Sequence, residues 1–112
     1  MTLAITPISA TNKLKIEVVF VGALSVAGYF YMALFQDTTA DALAAGWQYV
    51  GNGNAGATIN FTHYMTSGTT SSTTFKIRAG GTSGTTYFNG NTAARKLGGV
   101  MASSITISEI IP

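Results

Sequence analysis

Tyr29 to Gln36 (Tyr-Phe-Tyr-Met-Ala-Leu-Phe-Gln) constrains the fold more than any other stretch, because it offers no polar face. Its length and aromatic content suit a strand, and a strand sends successive side chains to opposite faces. Tyr29, Tyr31, Ala33 and Phe35 then lie on one side, and Phe30, Met32 and Leu34 on the other. In a two-layer sandwich only one such face meets the core. The other needs a second cover, and for so short a chain a neighbouring copy is the simplest one. Tyr29, Tyr31, Ala33 and Phe35 are therefore expected at a contact between subunits.

The same two-residue period recurs along the chain. Lys13 to Val21 is the clearest case, with Leu14, Ile16, Val18 and Phe20 on one face and a second face that begins charged and ends apolar. Thr2 to Ile8, Thr58 to Thr66, Ser71 to Ala79 and Thr85 to Phe88 read as further strands. Between them lie turn-forming clusters at Gly22–Gly28, Gly51–Gly56, Gly80–Gly84 and Asn89-Gly90. Ala44 to Val50 suits a strand with Trp47 and Tyr49 on one side, while Asp37 to Ala45 is the one stretch that suits a helical turn. The last stretch is Gly98 to Ile110, where Ile105, Ile107 and Glu109 alternate with Thr106, Ser108 and Ile110 after a glycine pair. So apolar a terminal strand would fray or aggregate as a free edge. It is expected inside a sheet, paired on both sides, with Ile105 and Ile107 joining the subunit contact.

About eight strands in 112 residues describe one all-β domain, 1–112, of sandwich or jelly-roll type. The composition agrees. Hydrophobic residues make up 46% and charged residues 9%, against about a quarter charged in an ordinary domain, and Thr, Ser, Asn and Gly fill the difference. A net charge of +2 with no basic stripe argues against nucleic acid as a partner. No apolar run is long enough to be a membrane-inserting helix. The absence of cysteine excludes disulfides and thiolate metal sites.

Motifs for chemistry are weak. Gly51-x-Gly53-x-x-Gly56 matches the dinucleotide fingerprint as text, but a strand rather than a helix is expected after it, so it reads as a flexible loop. His63 is the only histidine; it falls on the Ile59, Phe61 and Met65 face and reads as a packed or interface residue, with an axial ion between symmetry copies as the rarer use. The four acids, Glu17, Asp37, Asp41 and Glu109, are scattered, and a glycosidase needs two that converge. No metal, cofactor or catalytic group is expected. Trp47, Tyr49 and Tyr87 stand beside glycine-rich loops and, with Asn52, Asn54, Asn89, Arg95 and Lys96, are the candidate ligand-binding residues. Lys76 and Arg78 share an outward face and Arg95 and Lys96 fall in a loop; the four read first as solvated charge, with an anionic glycan or a partner's carboxylates as the rarer use.

Ile5-Thr6-Pro7, Asn12 to Val18, Ala33-Leu34-Phe35-Gln36-Asp37, Thr74 to Gly80, Phe88-Asn89-Gly90 and Gly98 to Ile110 occur here in an order and spacing that resemble the carboxy-terminal domain of tailed-phage fibre and other virion-surface proteins. The resemblance spans nearly the whole chain. It implies a jelly roll similar to the tumour-necrosis-factor fold, assembled as a homotrimer at the end of a fibre or spike. Such domains usually follow a longer shaft, whereas here the first strand begins close to Met1. The resemblance therefore leads to a non-enzymatic module on the virion surface, held by other virion proteins, whose loops meet a host-surface glycan or protein. The alternative is a capsid decoration protein that clamps head subunits.

Overall fold

The computed structural model describes residues 1–94 and 96–112 and contains eight strands in two antiparallel sheets packed as a sandwich. They are β1 (Thr2–Ile5), β2 (Lys13–Leu24), β3 (Gly28–Gln36), β4 (Ala44–Val50), β5 (Gly56–Thr66), β6 (Thr73–Gly81), β7 (Thr86–Phe88) and β8 (Ser104–Ile110). Sheet A has the order β1-β6-β3-β4. In sheet B, β2 pairs β5 along one side and, along the other, β8 through Lys13–Val19 and β7 through Gly22–Leu24.

The pairing is nested: β3 with β4 is innermost, β2 with β5 encloses it, and β1 with β6 lies outermost. A regular eight-stranded jelly roll nests β1 with β8, β2 with β7, β3 with β6 and β4 with β5, and of these pairs the chain has β2–β7 and β3–β6. Here β8 instead hydrogen-bonds to β2.

The alternating pattern sets the core. Leu14, Ile16, Val18 and Phe20 of β2 face Phe30, Met32 and Leu34 of β3 and Phe75 and Ile77 of β6, and all of them are buried. Phe20 lies 5.3 Å from Phe30, ring centre to ring centre, and its edge meets the ring of Phe88 at 4.8 Å. Such large apolar side chains, each contributing roughly 1.5–3 kcal/mol when fully buried, dominate the stability.

Two expectations are corrected. The terminal strand is not interior: β8 pairs with β2 alone and forms an edge of sheet B. It is β2 that has neighbours on both sides. Asp37–Leu43 is not helical either, but a hairpin loop between β3 and β4. Asp37 adopts φ 48°, its N–H donates to the Thr74 carbonyl, and the Leu43 N–H donates back to Leu34. A left-handed residue at the first position stops helix formation before it begins. The segment before β8 turns through three successive left-handed residues, Leu97, Gly98 and Gly99.

The sandwich is closed on one side and open on the other. At the β4/β5 side Gly46 brings β4 against the inward face of β5; a β-carbon there would lie 2.7 Å from Ile59 Cγ2. At the β1/β8 side, Leu3 remains 37% exposed although it pairs with the buried Phe75, and Ile5, Ile105 and Ile107 are only half-buried. The difference at Gly46 is measurable. Gly46→Ala should destabilise the fold by about 1–3 kcal/mol through overpacking. Gly80→Ala, where nothing lies within 4 Å of the new methyl, should be neutral or stabilising by up to about 1 kcal/mol. Urea unfolding of both variants reads this, and equal effects would contradict the close approach at Gly46.

Candidate functional site

The outer faces of the two sheets differ in kind. Sheet B presents Thr58, Asn60 and Thr62 from β5 and Ser104, Thr106 and Ser108 from β8, with the Lys15–Glu17 ion pair (3.1 Å) between them on β2. This is largely the small-polar surface that the composition leads one to expect, interrupted by the exposed Val19, Tyr64 and Ile110.

Sheet A instead presents aromatic rings. The register sets Tyr29 opposite Tyr49 and Tyr31 opposite Trp47 on adjacent strands. Their exposures are 45% for Tyr29, 49% for Tyr31, 63% for Trp47 and 57% for Tyr49. Tyr29 is the hub, 5.3 Å from Tyr49, 5.6 Å from Trp47 and 6.4 Å from Tyr31 between ring centres. Further along the same face Ala33 pairs with Ala45 and Arg78, and Phe35 with Lys76. The Arg78 guanidinium rides over the Phe35 ring at 5.9 Å. A cleft of about 260 Å³ opens there, lined by Phe35, Lys76, Arg78 and the Asp37–Ala40 turn.

The structure thus regroups the residues singled out from the sequence. Tyr29, Tyr31, Ala33 and Phe35, expected at a subunit contact, share one face with Trp47 and Tyr49, expected to bind a ligand. Ile105 and Ile107, assigned to the same contact as Tyr29, are on the other sheet and pack on the chain's own core. The six contact residues therefore do not form one surface. Alternation alone cannot reveal this, because it gives each strand its faces but not the strand's place in a sheet.

The remaining loop candidates gather at one end of the sandwich. Ser25 donates its N–H to Thr85, Asn54 to Leu24, and Asn89 to Val21, so the β2–β3, β4–β5, β6–β7 and β7–β8 connections lie together. Asn54 and Lys96 line a groove of about 560 Å³ with Val21, Thr58, Leu97 and Met101. Asn89 spends its side-chain oxygen on the Ser103 N–H, 2.7 Å away, and so has a structural role. Asn52 is exposed in the β4–β5 turn, and Tyr87 is half-buried opposite Ala23. Arg95 lies outside the described residues. Gly56 begins a strand, not a helix, so Gly51–Gly56 lacks the helix that a dinucleotide site needs.

The acids do not converge. The Glu109 carboxylate accepts from the Ile8 N–H at 2.9 Å and from Asn12 Nδ2 at 2.7 Å, which latches the β1–β2 connection to β8. The Asp37 carboxylate accepts from the Thr74 N–H and the Thr73 hydroxyl, both at 2.8 Å. Asp41 is exposed in the β3–β4 loop. Among the described residues no three His, Asp or Glu side chains come together as a metal site. His63 is half-buried on the inward face of β5, opposite Ile16.

No protein-family model matches the chain, and no curated protein matches it.

The two latches make stability pH-dependent. Asn12 and the Ile8 N–H hold the Glu109 carboxyl below the ordinary carboxylate range, and the Thr74 N–H and Thr73 hydroxyl do the same for Asp37. A carboxyl whose folded pKa is depressed contributes stability above its unfolded pKa, and that contribution disappears as pH falls through the folded value. The urea midpoint should therefore drop as pH falls below about 4. Glu109→Gln should lower the midpoint at neutral pH and make that drop shallower. Superimposable pH profiles for the two proteins would show that the latch carries no stability.

Proposed function

We propose that this chain is a non-enzymatic module of a virion surface that self-associates and presents the outer face of sheet A to a glycan or protein on a host surface. The observation that carries the reading is the exposed aromatic face. Four large rings at about half exposure amount to an apolar patch near the upper end of what a monomer normally shows. Aromatic side chains anchor interfaces and stack on sugars. The surrounding structure holds this patch rigidly, on two paired strands rather than on loops.

Self-association draws on a different part of the molecule. The β1/β8 side leaves Leu3, Ile5, Ile105 and Ile107 incompletely covered. Beside it runs the free edge of β8, which has no proline, lysine or glycine and whose one charge, Glu109, is tied to Ile8 and Asn12. A second copy seated there would complete the core and give the terminal strand the second neighbour its composition calls for. The nested strand pairing is a jelly-roll-like winding, and the resemblance to phage fibre domains adds the trimer and the virion. Repeated copies would raise a weak contact to a useful avidity.

Light scattering on the purified chain should give three times 11.6 kDa, and Leu3→Glu should lower that mass. The double variant Tyr31→Ala/Trp47→Ala should keep the mass and lose retention on host cells. A wild-type monomer would remove the assembly half of the reading. Retention unaffected by the double variant would remove the recognition half, and binding to expanded capsids instead of cells would favour head decoration.

A further inference from the structure

Three outward rows on sheet A follow one another along the strands. The first holds Tyr31, Trp47 and Gly80, the second Ala33, Ala45 and Arg78, and the third Phe35 and Lys76. Adjacent rows are about 6.8 Å apart, twice the rise of a strand. Arg78 leans over Phe35, toward the third row. Ala33 and Ala45 therefore form a floor of single methyl groups. Gly80 extends that floor beside Tyr31, with no atom within 4 Å of where a β-carbon would stand. The result is a trough with an aromatic wall, Tyr31 and Trp47, and a cationic wall, Arg78 and Lys76, on either side of the methyl floor.

Neither cation of the wall is in a salt bridge with a described residue. Among the described residues the one ion pair is Lys15–Glu17 on the other sheet. The Asp37 carboxylate at the foot of the wall is held by Thr73 and Thr74 but stays charged and lies in the field of Lys76, which leaves Arg78 as the main cation for a ligand's carboxylate. No acidic side chain is borne on the outward positions of β6, β3 or β4. Thr38 and Thr39 line the cleft beside Arg78 and Lys76 and supply neutral donors.

We infer that this trough is a subsite for an acidic sugar residue, a uronic or sialic acid within a surface polysaccharide. The apolar face of the ring stacks on Tyr31 and Trp47, and the carboxylate meets Arg78 and Lys76. A planar guanidinium fixed over an aromatic ring suits a carboxylate better than a freely moving ammonium does. Stacking without the cations would take any sugar, and the cations alone would take any anion. Their juxtaposition across a methyl floor selects a ring that bears a carboxylate. This rests on the reading of sheet A as a recognition face and narrows its ligand class.

The test is titration of the assembled protein, by calorimetry or saturation-transfer NMR, with tri-galacturonate and sialyllactose as acidic probes and lactose as the neutral one. Acidic probes should bind at least tenfold more tightly than lactose, and the preference should shrink as salt rises. Arg78→Gln/Lys76→Gln should erase the preference while leaving the weak neutral binding. Gly80→Leu, whose β-carbon enters open space at a backbone conformation any residue adopts, should abolish both without lowering the unfolding midpoint. Equal binding of lactose and the acidic probes would overturn the ligand class but leave recognition by sheet A standing. Absence of binding by every probe would overturn the subsite, and cell retention of Tyr31→Ala/Trp47→Ala then decides whether the recognition reading falls with it. A drop in assembly mass on Gly80→Leu would show that another copy occupies the trough, and would overturn the inference.

Discussion

The whole sandwich depends on β2 being hydrogen-bonded along both sides. Twelve residues long, it carries β5 on one flank and β7 and β8 on the other, and it supplies Leu14, Ile16, Val18 and Phe20 to the centre of the core. Because side chains alternate, a slip of one residue against either partner would turn those four outward together. The register of sheet B is therefore fixed by burial. The Glu109 latch then follows, since Glu109 faces Leu14 across the pair and reaches Asn12 and Ile8 only in this register. Sheet A is placed by the same strand, because Phe30, Met32, Leu34, Phe75 and Ile77 must cover the face that β2 presents.

Much of this was legible from alternation. The strands around Lys13–Val21, Tyr29–Gln36, Thr58–Thr66 and Ser71–Ala79 were found from their apolar positions, and the structure lengthens β2 through Gly22-Ala23-Leu24 because β7 and β5 both pair there. What alternation lacks is adjacency. Ile105 and Ile107 look as exposed-apolar as Tyr29 and Tyr31 when each strand is read alone. Only the pairing shows that the isoleucines face the core and the tyrosines face away from it. The same limit hid the trough. Ala33, Ala45 and Gly80 are unremarkable in sequence, 12 and 35 positions apart, and become a floor only when the β3–β4 and β3–β6 registers set them side by side. The β3–β4 loop departs from its local propensity for a different reason. Alanine and leucine favour helix locally, but the hairpin closes through Asp37 in the left-handed region, tied to Thr73 and Thr74, and that tertiary contact outweighs propensity.

The contrast between the two outer faces argues that the aromatic one is not needed for folding. Sheet B is covered outwardly by threonine, serine and asparagine over most of β5 and β8, with Tyr64 as the isolated ring, and that surface serves a sheet of the same size. Threonine on β3 and β4 would suit the backbone as well. Ring–ring contact does return something, roughly 0.5–1.5 kcal/mol for each good pair, and this accounts for Tyr29, which touches all three of its neighbours. It does not account for Trp47. That side chain meets one ring and remains 63% exposed, the most open of the four, on the edge strand of the sheet. A tryptophan held at that exposure on a rigid strand leaves most of its apolar area in water, which opposes solubility without a matching gain in stability. On the proposed reading the compensation comes from contact with another molecule, and Arg78 one row away and Lys76 two rows away would select that molecule's charge.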